Sequence, residues 1–354
     1  MSKAEKNNLP VVAISVGDPN GIGLEVIMKT FSDTRMLDFC TPIVFGSNKL
    51  ASYHRKALNL QNFNFQSIKS LEEVIPGKVN MVNSVDKELE VQLGEASNSA
   101  GMAAYKSLEA ACKAVEDGHA DVLVTAPINK DTIQSEEFKF PGHTEYLGER
   151  FEGEPLMLMC SENVTVGTVT GHIPLEKVSS NLNYEDLKKK ILGLHQTLIK
   201  DMAIQKPRIA VLGLNPHAGE NGLLGKEDKE IIKPIVDELY NGGKLVFGPY
   251  SADGFFGSGV YKKFDAVVAM YHDQGLIPFK TLSFNQGVNY TSGLSVIRTS
   301  PDHGTGFDLA GKNEANPQSF REAVYLACEI FANRNEYTNL TSNILEVRKH
   351  DKRR

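Results

Sequence analysis

Two patterns of apolar and polar positions alternate along this chain. Short runs of apolar, often β-branched residues predict buried strands at 10–16, 41–46, 78–83, 121–126, 156–160, 164–172, 208–217, 244–247 and 265–272, and a longer extended run at 288–298. Between them, apolar residues with helical spacing predict helices at 24–31, 49–60, 96–118, 174–200, 226–240 and 318–333. This alternation predicts an α/β protein with a mostly parallel sheet covered on both faces.

Three of the predicted strands end in a histidine, at His172, His217 and His272. In an open α/β sheet, ligands bind beyond the carboxyl ends of the strands. Three imidazoles delivered to that edge would form a metal site with open coordination positions, which is the arrangement that catalytic metals need. The alternative interpretation is that each histidine is an ordinary loop residue whose ring nitrogens are satisfied locally.

A second group of residues suits a phosphate. Arginine offers a planar fork of donors and lysine a compact positive charge, and both are expected here in Gly/Pro-rich loops that follow apolar strands. His143 and Thr144 are predicted in the first turn of a helix, where backbone amides favour an anion. The alternative interpretation is that His143 and Thr144 only form a capped helix start and that Lys280 and Arg298 are ordinary solvated surface cations. The group consists of Lys280, Arg298, Asn289, His143 and Thr144.

The pattern alone supports a metal-dependent α/β enzyme that acts on a small phosphorylated substrate. Hydrolase, lyase and dehydrogenase all remain open at this point. The glycine-rich loop at 17–23 does not match GxGxxG, and the absence of that dinucleotide-binding pattern counts against a nicotinamide enzyme.

The composition argues against several other classes of protein. The chain has 354 residues, a formal net charge of −6 and no long basic block, so nucleic-acid binding is not indicated. No apolar run approaches the roughly 20 residues that span a membrane. The polar N-terminus lacks the apolar core of a signal peptide. The 4 cysteines show no CxxC pair, which favours reduced thiols and a cytoplasmic location.

Longer motifs carry a resemblance to a known family. The chain resembles 4-hydroxythreonine-4-phosphate dehydrogenase, an enzyme of pyridoxal phosphate biosynthesis. The matching segments are long and run through most of the chain. They are GDPNGIG at 17–23, TAPINK at 125–130, GHTE at 142–145, GHIPL at 171–175, GLNPHAGE at 213–220, MYHDQG at 270–275, GVN at 287–289 and IRTSPDHGT at 297–305.

The resemblance implies roles for the residues singled out above. His172, His217 and His272 would bind one divalent metal ion per subunit, with zinc, cobalt, magnesium, manganese and nickel all open. His143, Thr144, Lys280, Asn289 and Arg298 would contact a small phosphorylated hydroxy acid. The family places this site in a cleft at the interface of a homodimer.

A broader resemblance, to isocitrate and isopropylmalate dehydrogenases, accounts for the missing GxGxxG. The segment at 303–317 is similar to the one that wraps the adenosine of NAD in those enzymes. It implies NAD as cofactor, with NADP possible. The implied cofactor-binding residues are His303, Gly304, Asp308 and Asn316.

The same resemblance implies two α/β/α domains with the ligand cleft between them. The first domain, on the cofactor side, would comprise 1–150 plus 285–354. The second, at 151–284, would carry the metal and the dimer contacts.

The implied reaction oxidises 4-phosphooxy-L-threonine with NAD and then decarboxylates it to 3-amino-2-oxopropyl phosphate. One electrophilic metal can serve both steps. Lys280, Asp253 and Asp273 are candidates for proton transfer because they lie near the motifs.

One departure from the family pattern affects the substrate. Family members often have a histidine before the lysine of the segment at 125–130, whereas this chain has Asn129, which cannot act as a base. Separately, dehydrogenases of D-threonate or D-erythronate 4-phosphate, within the same family, act on substrates with a hydroxyl in place of the amine, and they are the alternative enzyme assignment. A metal-dependent hydrolase or lyase, and a non-catalytic protein that binds a phosphorylated metabolite, are the alternatives from other classes.

Overall fold

The computed structural model describes residues 9–85 and 89–343, so the predicted domain ends at 1–8 and 344–354 lie outside the described residues. Within this part of the chain, 12 strands form one sheet. They are β1 (Val11–Ser15), β2 (Thr41–Gly46), β3 (Gln66–Ile68), β4 (Asn80–Asn83), β5 (Val122–Thr125), β6 (Gly153–Cys160), β7 (Thr165–Thr168), β8 (Ile209–Leu212), β9 (Val246–Tyr250), β10 (Ala266–Ala269), β11 (Val288–Leu294) and β12 (Arg298–Pro301).

Helices connect and cover these strands. They are α1 (Gly23–Ser32), α2 (Asn48–Ala57), α3 (Asn98–Glu116), α4 (His143–Arg150), α5 (Val178–Asn181), α6 (Tyr184–Lys200), α7 (Lys233–Asn241), α8 (Ala252–Gly257), α9 (His272–Leu282) and α10 (Gln318–Thr341). None of the helices in the described ranges is long and apolar enough to cross a lipid bilayer.

The strand order is β3-β4-β2-β1-β5-β12-β11-β6-β7-β10-β8-β9. Neighbouring strands pair parallel toward both ends of this order. In its middle, the pairs β12-β11, β11-β6 and β6-β7 are antiparallel. Central strands such as β1 and β5 are buried along nearly their whole length, as expected for parallel strands that helices cover on both faces. The predicted α/β class with a mostly parallel sheet is confirmed.

The strands of the two predicted domains occupy opposite halves of this sheet. Strands from 11–125 and 288–301 form one half, and strands from 153–269 form the other. The junction is the antiparallel pair β11-β6. The domain boundaries themselves stay a prediction.

Two local predictions were wrong, and both concern site residues. Lys280 was expected in a loop, but it lies in α9, because Leu276 and Phe279 are buried against the sheet at helical spacing. Arg298 was expected at the end of one extended run, with a loop after it. Instead the chain folds back after Gly293, whose φ is +81°, and Arg298 begins a new strand, β12.

The loop at 17–23, between β1 and α1, is held from several sides. The side-chain amide of the buried Asn20 donates to the carbonyl of Glu95, and its oxygen accepts from the backbone of Gln92. His54 of α2 is buried, and its Nε2 lies 2.7 Å from the carbonyl oxygen of Pro19. Burial lowers the pKa of His54 to about 4, so the neutral ring donates this hydrogen bond.

We predict that His54 makes the protein sensitive to acid. The unfolded chain takes up a proton near pH 6.5, whereas the folded chain does so only near pH 4. Stability is therefore present above pH 6.5 and is lost as the pH falls toward 4, by about 3 kcal/mol from this group. Urea unfolding at pH 7, 5.5 and 4 measures the loss.

In His54→Gln the amide can still donate to Pro19, so the loss over this pH range should be smaller than in the wild type. His119→Gln, at an exposed position, is the control and should lose as much as the wild type. Equal losses in all three proteins would contradict the prediction.

Candidate active site

Two of the three strand-end histidines lie side by side. β7 and β10 are parallel neighbours in register, Thr168 opposite Ala269, so the residues after their carboxyl ends emerge at the same edge. The ring centroids of His172 and His272 are 5.1 Å apart. Burial, then the charges of Lys130 and His272, lower the pKa of His172, which favours the neutral form that a metal ligand requires.

The carboxylate of Asp273 orients the imidazole ring of His272. Nδ1 of His272 lies 2.7 Å from Oδ1 of Asp273, so Nδ1–H can donate to the carboxylate and leave the Nε2 lone pair free. Carboxylates commonly fix metal-binding imidazoles in this way. Asp273 therefore contacts a predicted ligand, and this contact occupies one of its oxygens.

The third histidine does not join this pair within one chain. Within residues 9–85 and 89–343, no group of three or more His, Cys, Asp or Glu side chains is arranged to hold a metal ion. His217 is exposed and lies in the turn Pro216–Gly222, where its own φ is +53° and the four following residues also have positive φ. Its charge contributes to lowering the pKa of Asp253, although the hydrogen bond from Ser251 is the largest cause.

One of the residues predicted to bind phosphate, Arg298, is a buried cation. Arg298 is 2% exposed. Its Nε and Nη2 donate to Thr125 Oγ1 at 3.1 and 2.7 Å, and its Nη1 donates to Thr291 Oγ1 at 3.0 Å. These bonds use three of the five N–H donors of a guanidinium. Burial lowers the pKa of Arg298 to about 10.

In the described part of the chain, no carboxylate pairs with Arg298. A buried charge without a counter-ion is costly, and a bound anion would supply one.

Two neighbouring groups are also buried without partners. His143 begins α4, and its Nε2 makes no hydrogen bond; burial, then the charges of Arg298 and Lys130, hold its pKa well below the usual range. Oδ1 of Asn289, on β11, is buried and unpartnered as well. Thr144 follows His143 in the first turn and is half-buried. A buried polar group without a partner indicates a missing ligand or water.

Lys280 lies on the other side of the site. Its Nζ is 3.3 Å from Oδ1 of Asp302. Asp302 follows β12 directly and precedes His303, so this contact joins the predicted substrate residue to the start of the predicted cofactor segment.

The predicted cofactor loop packs against the loop at 17–23. Ile22 N–H donates to the carbonyl of Thr305 at 2.9 Å, and a Cβ at Gly21 would lie 2.6 Å from that oxygen, so only glycine allows this approach. His303 is half-buried, its Nε2 has no partner, and burial lowers its pKa. Gly304 is exposed with open space around it.

The other two predicted cofactor residues are exposed at the surface. Within the described residues, the carboxylate of Asp308 makes no hydrogen bond to another side chain or to the backbone. Oδ1 of Asn316 accepts a hydrogen bond from the backbone N–H of Gln318 at 3.0 Å, at the start of α10. Asp308 and Asn316 are therefore both exposed to solvent, and Asn316 already contacts the backbone of α10.

Sequence reasoning missed three charged residues of this site. Lys130 follows β5, and its charge lowers the pKa of both His143 and His172. Burial lowers the pKa of both Arg298 and His172, and the charge of Glu145 opposes that fall. Asp302 pairs with Lys280. Lys130 and Glu145 stand within quoted motifs next to a strand end and a helix start, which could have identified them.

Asn129, the departure from the family pattern, has a structural role. Its Oδ1 accepts from the backbone N–H groups of Asp131 and Thr132 at 2.9 and 3.1 Å. It closes the turn that carries Lys130, so this position supplies no base. The arrangement as a whole can bind an anion at one end and present two imidazoles at the other.

Comparisons with known proteins agree with this geometry. A family model described as pyridoxal phosphate biosynthetic protein PdxA matches residues 38–327. The chain is 48% identical over 351 residues to a 4-hydroxythreonine-4-phosphate dehydrogenase of Bacteroides thetaiotaomicron, which covers 99% of this chain and 96% of that protein. It is 37% identical over 326 residues to a provisionally named D-threonate 4-phosphate dehydrogenase of Oceanobacillus iheyensis, with coverage of 91% and 98%.

Among solved structures, a 4-hydroxythreonine-4-phosphate dehydrogenase from Klebsiella pneumoniae superposes with a TM-score of 0.78 and 33% identity. The match covers 92% of this chain and 98% of that one. The similarity therefore extends over both halves of the sheet.

We predict that the anion site needs the guanidinium fork of Arg298. Arg298→Lys keeps a positive charge but cannot reach both threonine hydroxyls and an anion together. Affinity for inorganic phosphate, measured by titration calorimetry, should fall about 10- to 100-fold. Arg35→Lys is the matched control, because Arg35 is exposed and pairs with Asp33 at the surface. Equal affinity in the wild type and Arg298→Lys would exclude Arg298 as the phosphate ligand.

Proposed function

The chain belongs to the family of the pyridoxal phosphate biosynthetic protein PdxA, and we propose that it oxidises 4-phosphooxy-L-threonine with NAD and decarboxylates the product to 3-amino-2-oxopropyl phosphate. The observation that carries this proposal is the buried, unpaired Arg298 guanidinium beside the unpartnered Nε2 of His143. These groups fit a phosphate. The dehydrogenase of Bacteroides thetaiotaomicron, similar over nearly the whole chain, supports the choice of reaction.

The phosphate end of the substrate would lie on this buried cation. The two free N–H groups of Arg298 can form a bidentate pair with phosphate oxygens. The first turn of α4 adds backbone N–H groups and the Thr144 hydroxyl. Asn289 can donate through its side-chain amide. Together these contacts orient the remaining carbons of the substrate toward the paired imidazoles.

The metal would be held by His172 and His272 of one subunit and by the partner subunit's His217. The adjacent rings and the free Nε2 of His272 fit a divalent ion, and the isolated position of His217 in its own chain fits a site completed by a second subunit. A metal ion bound there would polarise the reacting hydroxyl and stabilise negative charge on its oxygen. The identity of the ion stays a choice among zinc, cobalt, magnesium, manganese and nickel.

Exposed apolar side chains support the homodimer. Each histidine segment carries at least one large apolar residue that one chain leaves in solvent. Leu175 is 71% exposed, Leu223 is 80% exposed and Ile277 is 62% exposed. Apolar residues concentrated beside a polar site are typical of a protein interface. The second subunit would cover them and complete the metal site in the same step.

The nicotinamide cofactor would lie along the 303–308 loop. The free Nε2 of His303 and the open space at Gly304 suit contacts with a ribose or phosphate group, and Asp308 and Asn316 would lie further along the cofactor. We propose NAD, with NADP as the alternative. When bound, the nicotinamide ring would accept the hydride of the hydroxyl-bearing carbon, and the hydroxyl proton would have to leave to a base.

Lys280 is the best placed of the three candidates for proton transfer. Asp273 is engaged with His272, and Asp253 accepts from Ser251. The ammonium of Lys280 is half-exposed and lies 3.3 Å from the carboxylate of Asp302, the residue before the predicted cofactor residue His303. As an amine, Lys280 can take the hydroxyl proton, and as an ammonium it can return a proton to carbon after carbon dioxide leaves.

D-threonate 4-phosphate is the alternative substrate, because the relative in Oceanobacillus iheyensis bears that name. It has a hydroxyl where 4-phosphooxy-L-threonine has an amine. The higher identity to the Bacteroides thetaiotaomicron protein favours the amine. A cytoplasmic location is consistent with this metabolism and remains part of the proposal.

The test is NADH formation by the chelator-treated protein with metals added back. We expect absorbance at the NADH wavelength with 4-phosphooxy-L-threonine, at least about 10-fold faster than with D-threonate or D-erythronate 4-phosphate, and only with a divalent metal. His172→Ala should abolish it. Faster turnover of D-threonate 4-phosphate would select the alternative, and consumption of any of the three without NAD would indicate a hydrolase or lyase.

A further inference from the structure

The ion pair of Lys280 and Asp302 crosses the site between two structural elements. Lys280 is in the last turns of α9, which begins at His272, and Asp302 comes directly after β12. The Nζ–Oδ1 distance is 3.3 Å. The lysine side chain is 49% exposed and the aspartate side chain 19%, so the carboxylate is the more firmly packed partner.

The backbone of Asp302 is fixed by a small hydrogen-bond network. Its N–H donates to Ser319 Oγ at 3.0 Å and lies 3.2 Å from the carbonyl oxygen of Gly287. Ser319 Oγ donates to the same carbonyl at 2.6 Å. A Cβ at Gly287 would lie 2.8 Å from the ring of Phe279 and 3.1 Å from Oδ2 of Asp302. The absence of a side chain at Gly287 therefore leaves room for this carboxylate.

The charges around Asp302 place it on the reacting side of the site. Burial raises the pKa of Asp302, and the cation of Lys280, followed by His303 and His272, opposes that rise. His303 is a predicted cofactor residue, and His272 is a predicted metal ligand. Arg298, by contrast, acts on His143, at the phosphate end, and Lys130 acts on both His143 and His172.

We propose that Asp302 is the positioning residue that holds the ammonium of Lys280 at the reacting carbons of the substrate and away from its phosphate. This rests on the dehydrogenase function proposed above. A free lysine side chain samples many rotamers and would be drawn to the substrate phosphate. The fixed carboxylate of Asp302 opposes both effects. Lys280 then lies where the hydroxyl proton leaves and where the carbon proton returns.

The kinetic test compares Asp302→Asn, Asp302→Glu and Asp237→Asn. Asp302→Asn keeps the shape and removes the charge, so kcat should fall about 100-fold while KM changes less than about threefold, because phosphate binding is intact. Asp302→Glu, which keeps the charge, should recover at least about 10-fold of the loss. Asp237→Asn removes a comparable Asp–Lys ion pair at the surface and should leave kcat unchanged.

A loss confined to KM would show that Asp302 serves substrate binding, and unchanged kcat in Asp302→Asn would exclude any positioning role. Failure of Asp302→Glu to recover activity would likewise contradict a role for the carboxylate charge.

A second measurement does not depend on turnover. Acetic anhydride labels free amines, and mass spectrometry gives the rate for each lysine. In Asp302→Asn the rate at Lys280 should rise about 5-fold, because Nζ is no longer held against the carboxylate, whereas Lys188, paired with Glu238, should not change. An unchanged rate at Lys280 would overturn the proposal. If the wild type oxidises none of the three substrates, the dehydrogenase proposal fails, and the labelling result still decides whether Asp302 holds Lys280.

Discussion

The burial of Arg298 is the constraint on which the rest of the site depends. A guanidinium 2% exposed, with no carboxylate partner in the described chain, is stable only because two threonine hydroxyls accept its hydrogen bonds. The antiparallel pair β11-β12 makes this possible within a largely parallel sheet. Its register sets Thr291 directly opposite Arg298, while Thr125 ends the parallel neighbour β5. Two donors of the guanidinium are left over, and His143 Nε2 and Asn289 Oδ1 are buried without partners as well, which is what the proposed anion site requires.

The edge proposed to bind the metal has the opposite character, since only two of its three predicted histidine ligands lie together in the described chain. Parallel pairing of β7 and β10 brings His172 beside His272, and the strained turn at 216–222 keeps His217 apart from them. Large apolar side chains follow each histidine and remain in solvent. Burial of those side chains against a second copy would stabilise the dimer and complete the metal site together. Substrate affinity would then come from one chain, and the metal chemistry from two.

The sequence predicted the parts of this fold that depend on local pattern. The buried runs are strands, and the three histidines follow strand ends as expected. The helical state of Lys280 was missed because the apolar residues that anchor α9 alternate with Gly275 and Pro278, which locally disfavour a helix. Asp302 was missed because its partner Lys280 comes from another segment, and tertiary packing alone brings the two together. Asn129 was recognised as a departure, but its capping contacts were visible only in the folded turn.

Mixing of inactive dimers tests the central claim, that one metal site takes His172 and His272 from one subunit and the partner subunit's His217. His172→Ala and His217→Ala dimers are dissociated together and allowed to reassociate, and NADH formation is measured. Half of the dimers should then be mixed, each with one intact site, so activity should return to about one quarter of the wild type. His172→Ala mixed with His272→Ala should stay inactive, because both changes fall on the same half of the site. No recovery in the first mixture, or equal recovery in the second, would contradict the account.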